Sequence, residues 1–315
     1  MGTVTMALPQ KPQPGTGQLE VHAFCGSSSI SALSCTYPLK LVSPPSRPTD
    51  HAVLVFMMSY GGGLVAGDCV DLNIRVRPKS RLALLTQGST KVYKTPSKSI
   101  RSHQNLTVKV EEGAALLLLP DPVQPFKDSS YEQCQIFHVH HSLSSILVLD
   151  WVSEGRTARG EAWEFFGWKG RNEIWSLPDP DKGTKKKLLI RDSMVLDETS
   201  STKRSYSDEM DDLGVFGTLI IRGPLFRALG DFFLAEFSRL PRIRANGKPH
   251  EQIDLRSSES VESVKTWSAT SVRGSVIVKF GSRDVDVARR WLRDMLLRDG
   301  TVGREFGERS LLCLQ

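Results

Sequence analysis

Apolar positions along most of this chain fall at every second residue. In CVDLNIRVRP, Val70, Leu72, Ile74 and Val76 alternate with Asp71, Asn73, Arg75 and Arg77, the period of a strand with one face in a core. The same reading covers LEVHAF, ALSCTYPLKLV, HAVLVFMMS, SRLALLTQ, NLTVKVEEGAALLLLP, YEQCQIFHVHH, SILVLDWVSEG and EAWEFFGW, with short Gly, Pro, Ser and Asp punctuation between them. Nothing of helical period intervenes before residue 170. Dense short strands of this kind predict a mainly β protein of packed sheets.

Helical period appears only in the C-terminal half. In PLFRALGDFFLAEFSRL, Pro224 stands where a helix opens, and Leu225, Leu229, Phe232, Phe233, Phe237 and Leu240 form one apolar face. DVDVARRWLRDMLLRDG predicts a second helix, capped by Asp284, burying Val287, Ala288, Trp291, Leu292 and Met295, and stopped at Gly300. KTWSATSVRGSVIVKFGS between them predicts two more strands. No internal repeat of fixed period is visible. The expected organisation is a disordered segment over 1–18, one β-rich domain over 19–300 and a C-terminal tail over 301–315. A charged insertion over about 177–212 brackets the strand-like LLIRDSMVL.

Composition narrows the class. Hydrophobic residues at 39% and charged ones at 24% are those of a soluble globular chain. A net charge of +6 favours acidic protein partners, and the scatter of Lys and Arg along the chain speaks against nucleic acid. Five cysteines without C-x-x-C spacing predict reduced, mostly buried thiols. The N-terminus lacks a signal-peptide run and no stretch reaches membrane-spanning length, so the expectation is a cytoplasmic protein without a membrane.

Candidate chemistry sits in a few segments. SYGGGLVAGD (59–68) has the glycines of a phosphate cradle, but a strand follows where that cradle needs a helix. It reads as a turn ending in Asp68. TQGSTKVYK (86–94) concentrates Gln87, Ser89 and Thr90 after a strand; Ser89 lacks the G-x-S-x-G elbow of a nucleophile. LPDPVQPFKD (119–128) carries three prolines, which predict a rigid turn outside any ladder, either a structural corner or a platform presenting Asp121 and Gln124. His138 and His140 share a strand face at a spacing open to transient metal contact, or stand as edge-strand histidines. His141 points away from them. DWVSEGRTARGEAWEF (150–165) holds Asp150, Glu154, Arg156, Arg159 and Glu161, which form a surface ion-pair network or, if interior, must be paired or hydrated.

Taken in order, GGGLVAGD, TQGSTKVYK, LPDPVQPFKD and DWVSEGRTARGEAWEF resemble the successive motifs of the urease accessory protein UreD (UreH) family. The resemblance runs from about residue 20 to 175 and loosens beyond. It implies a β-helix-like stack of two sheet layers of many short strands, with two α-helices in the C-terminal half. It also implies a non-enzymatic role: a scaffold delivering nickel to the urease metallocentre with UreF and the GTPase UreG, bound to the urease apoprotein, with a homodimer within that complex. No tightly bound cofactor is expected, only a transient nickel ion crossing a water-filled passage. Weak oxygen ligands suit such transfer, which selects Asp68, Ser89, Thr90, Asp121, Asp150 and Glu161 as passage lining, supported by Gln87, Gln124, Arg156 and Arg159. Two alternatives stand beside this reading: an all-β hydrolase using Ser89 with a histidine and Asp121 or Asp150, and a protein-interaction module without an ion path.

Overall fold

A computed structural model describes residues 13–47, 50–140, 143–178, 183, 185–197, 206–240, 264 and 266–315. The first strands are β1 (Thr16–Phe24), β2 (Ser27–Cys35), β3 (Leu39–Val42), β4 (Val53–Ser59), β5 (Gly63–Leu64), β6 (Cys69–Val76), β7 (Arg81–Leu85), β8 (Thr90–Val92) and β9 (Ser102–Val110). They are followed by β10 (Ala115–Leu119), β11 (Val123–Pro125), β12 (Ser130–Val139), β13 (Ser145–Ser153), β14 (Gly167–Ser176), β15 (Lys187–Asp197), β16 (Val215–Arg222), β17 (Thr266–Val272) and β18 (Ser275–Ser282). The α-helices are α1 (Tyr206–Glu209), α2 (Arg227–Ser238), α3 (Val285–Asp299) and α4 (Thr301–Phe306).

From β4 to β14 the chain winds as a coil, touching one sheet and then the other. One sheet runs β15-β14-β12-β9-β6-β1-β2 and the other β17-β18-β16-β13-β10-β7-β4-β3. Strands β6, β9, β12 and β14 lie parallel in register, as do β4, β7, β10 and β13. The expected β-helix-like stack is thus present, mainly β with its few helices mostly in the C-terminal half. Antiparallel β15 completes one sheet, and β16, β18 and β17 extend the other.

Alternation decides which core each residue joins. On β13, Ile146, Val148 and Val152 face the opposite sheet, while Leu147, Leu149 and Trp151 face a layer of helices. All five residues of β10 are buried because both faces of that sheet are covered. The helical layer largely follows its pattern: the Asp284 carboxylate accepts from Asp286 N at 2.6 Å, Gly300 ends α3 at φ +75°, and Val287, Ala288, Leu292 and Met295 are buried, whereas Trp291 is partly buried and Leu240, beyond the end of α2, is exposed.

Several expectations change. Strand β1 begins at Thr16, inside the segment expected to be disordered; residues 1–12 lie outside the described ones. Within 177–212 the strand-like LLIRDSMVL is a strand as expected, β15, paired along its length with β14, while 179–182, 184 and 198–205 lie outside the described residues. Residues 301–315 do not stand apart as a tail: α4 and the turn Glu308–Leu314 bury Val302, Phe306, Leu311 and Leu314 in the helix-side core, about 1.5–3 kcal/mol for each large side chain. EAWEFF is irregular up to Gly167, with Trp163 at φ +58°: Trp163 and Phe165 are buried between the sheets, Glu164 is exposed and Phe166 half-buried, so burial alternates while the backbone joins no ladder. Of the five free cysteines only Cys313 is buried; Cys25 is exposed in the turn between β1 and β2, and Cys69 at an outward position of β6.

Candidate functional site

Beside the two main sheets runs a short parallel ladder at one corner of the coil. Gly63 of β5 pairs with Lys91 of β8, Thr90 of β8 with Val123 of β11, and Val123 with Val152 of β13. Each rung comes from one of the four quoted motifs, so GGGL, TKV, VQP and the WVS of DWVSEG are equivalent positions of successive coils, roughly 30 residues apart. That spacing is the repeat the sequence concealed. The Pro-rich segment therefore does enter a ladder: Pro120 and Pro122 precede the rung and Pro125 ends it. Close approach explains Gly63, where a Cβ would stand 2.4 Å from the Lys91 carbonyl oxygen.

Most of the expected lining residues hold this corner together. Asp121, 8% exposed, accepts from the Thr86 hydroxyl at 3.0 Å and Gly88 N at 2.9 Å, and takes an ion pair from Arg289 of α3 at 3.0 Å. The chain end closes over it: Arg289 also donates to the Cys313 carbonyl at 3.1 Å and Cys313 Sγ donates to the Thr86 carbonyl. Gln124 donates to the Gly155 carbonyl at 2.9 Å. Buried Glu161 is gripped by Arg156 and by Lys127 N, and the hydrogen-bonded Arg156 guanidinium holds its carboxyl below the usual range. Arg156 in turn lies 4.0 Å over the Phe126 ring. Asp68 closes its own turn, accepting from Val65 N at 2.9 Å. Ser89 and Thr90 are half-buried, Gln87 and Arg159 exposed. Among the described residues no hydrogen bond joins Ser89 to a histidine.

Asp150 is different. It projects from β13 into the space between the sheets, where Gln133 of β12 donates to one carboxylate oxygen at 2.9 Å and Asn172 of β14 to the other at 2.6 Å. Gln133 is itself fixed by the Tyr131 hydroxyl at 3.1 Å. Enclosure by both sheets raises the Asp150 carboxyl above its ordinary pKa, and nearby Asp192 adds to the rise; the two amides and Lys279 oppose it. Asn172 is 1% exposed and its Oδ1 has no hydrogen-bond partner. Beside these groups, with Asp192 and Thr218, lies a space of about 10 Å³, the room of a single water. It adjoins an outer cavity of about 280 Å³ through Met194, Phe216, Gly217 and Thr218, with Lys279 on the outer wall.

No hydrogen bond or ion pair joins Asp68, Asp121, Asp150 and Glu161 to one another among the described residues, and no three His, Cys, Asp or Glu side chains converge there as a metal shell. His138 is half-buried near Lys109 and Lys186; burial and those two charges lower its pKa. Both His138 and His140 keep an unpartnered, buried Nδ1. His141 lies outside the described residues. Asp192, Asn172, Thr218 and Lys279 escaped the sequence reading because each looks like an ordinary outward or core strand residue. Only pairing of β13, β14, β15, β16 and β18 brings them together.

The architecture and site define a stacked-coil β protein whose polar motifs build one corner and whose isolated buried acid lies between the sheets. Comparison with known proteins agrees: the chain belongs to the UreD urease accessory protein family, whose model matches residues 13–310. It is 32% identical over 278 residues to an uncharacterized urease accessory protein ureD-like of Schizosaccharomyces pombe, covering 88% of this chain and 91% of that one. Similarity to urease accessory protein 4 of Cryptococcus neoformans var. grubii is 30% over 329 residues, 93% of each chain. To urease accessory protein D of Oryza sativa subsp. japonica it is 33% over 235 residues, 74% of this chain and 72% of the relative. No described helix is long and apolar enough to cross a membrane.

Proposed function

We propose that this chain is a non-catalytic scaffold in maturation of the urease nickel centre, acting in the cytoplasm with UreF-type and UreG-type proteins on the urease apoprotein, and that nickel, its cargo, crosses the space between the two sheets. The observation that carries the reading is the enclosed Asp150 carboxylate beside a water-sized space that Asn172, Asp192 and Thr218 also line and that adjoins the outer cavity. Carboxylate, amide and hydroxyl oxygens bind nickel loosely enough to release it, whereas a thiolate or multi-histidine cage would retain it. Asp121 and Glu161 serve this role indirectly. Their lone pairs are engaged by Arg289, Arg156 and backbone donors, so they stiffen the corner that holds β13 in place. The net charge of +6 suits acidic partners.

The test is complementation of cells lacking this protein. Wild type should restore urease activity. Asp150→Asn should still co-purify with the UreF-type and UreG-type proteins and urease, yet leave urease polypeptide inactive. Full activity with Asp150→Asn would remove the passage and leave an interaction module; normal activity without any copy would remove the accessory role.

A further inference from the structure

Lys279 of β18 reaches across the open side of the sandwich. Its ammonium donates to Asp192 Oδ1 of β15 at 2.6 Å and to Thr218 Oγ1 of β16 at 3.2 Å. These two acceptors also line the inner space, together with Asp150 and Asn172. An ammonium carries three donors, so this one sits as a compact cation would, against hard oxygens at the entrance to the inner space.

We propose that Lys279 is a resident counter-cation: it occupies the outer part of an oxygen site formed by Asp192, Thr218, Asp150 and Asn172, and a divalent cation enters that site by taking the ammonium's place, with its remaining waters in the outer cavity. This deepens the passage reading in its biological role, but the binding itself stands on separate grounds. The buried Asn172 Oδ1 lacks a donor, an arrangement that a cation or a water on its shell would satisfy. Once the ammonium swings out, the two carboxylates present two negative charges, which one dication balances where one ammonium does not. An all-oxygen set of carboxylate, amide and hydroxyl, completed by water, is the type that hard divalent ions accept. The Lys279 side chain is 49% exposed and adjoins the cavity of about 280 Å³, so it has room to swing outward, and a half-exposed ion pair is a weak tether. An arginine fork would be harder to displace.

The experiment is calorimetric titration of the purified full-length chain with Ni²⁺ at near-neutral pH. Lys279→Met should bind Ni²⁺ about tenfold or more tightly than wild type, the effect of removing one positive charge a few ångströms from a dication. Lys279→Arg should bind no better than wild type, and Lys279→Met with Asp192→Asn should lose the gain. Unchanged or weaker binding by Lys279→Met, or a gain that survives Asp192→Asn, overturns the proposal. Should Lys279→Met fail to fold by circular dichroism, Lys279→Gln carries the same expectations. A gain in affinity with normal urease activation by Asp150→Asn would keep the cation site and reject the passage; no gain with an inactive Asp150→Asn would do the reverse.

Discussion

Replacing Asp150 by Asn separates folding from function, because the structure foretells how the new amide is received. The carbonyl oxygen of the introduced amide can keep the bond from Gln133, whose own carbonyl is fixed by Tyr131. Its NH2 then faces Asn172, whose Oδ1 is unpartnered, so a flip of the Asn172 amide turns a donor clash into a hydrogen bond. No buried polar group is left worse off, and a buried charge is gone. The carboxyl's folded pKa lies above its unfolded value of about 3.9. Native wild type therefore binds this proton more tightly than the unfolded chain, and its stability falls as pH rises from the unfolded value through the raised one, then levels. Each unit of that rise is worth about 1.4 kcal/mol. Urea denaturation at about pH 8 should show Asp150→Asn at least as stable as wild type, by about 1 kcal/mol or more, with the difference shrinking towards about pH 4. An Asn variant less stable than wild type at about pH 8 would refute the reasoning, since it would mean that the carboxylate is well compensated where it lies.

Other expectations follow from the same contacts. Phe306→Ala removes a ring that is 2% exposed and stacked on Phe226 at 5.7 Å; a loss of about 3–5 kcal/mol is expected by chemical denaturation. Exposed Leu312→Ala should stay within about 0.5 kcal/mol. Arg289→Met strands the Asp121 carboxylate under the chain end and should cost about 3 kcal/mol, with Asp121→Asn recovering part of it in a double-mutant cycle. Burial and the Asp121 charge push the Cys313 thiol up to about 12, so native protein at about pH 8 should show iodoacetamide modification at exposed Cys25 but not at Cys313 by peptide mass spectrometry.

Legibility in the sequence followed the range of the interaction. The cap at Asp284, the stop at Gly300 and the inward face of α3 are written within a few residues of one another, and all appear where their pattern placed them. Strand alternation worked equally well for β6. It misjudged EAWEFF, whose burial alternates although its backbone joins no ladder before Gly167, and the Pro-rich LPDPVQP, whose short rung needs few backbone donors. The candidate site was legible in part. Asp150, Asp121 and Glu161 stood out as acids between apolar runs, but identical chemistry in sequence became different chemistry in space.

By itself the sequence determined the abundance of strands, the two principal helices and the membership announced by four motifs. Tertiary structure alone decided that those motifs stack as rungs of one ladder, that Asp121 meets Arg289 across 168 positions, and that Lys279 meets Asp192 across 87. The physical reason is that hydrogen-bond periodicity and capping act between near neighbours, whereas the partner and solvation of a buried charge depend on which distant strands the coil lays side by side.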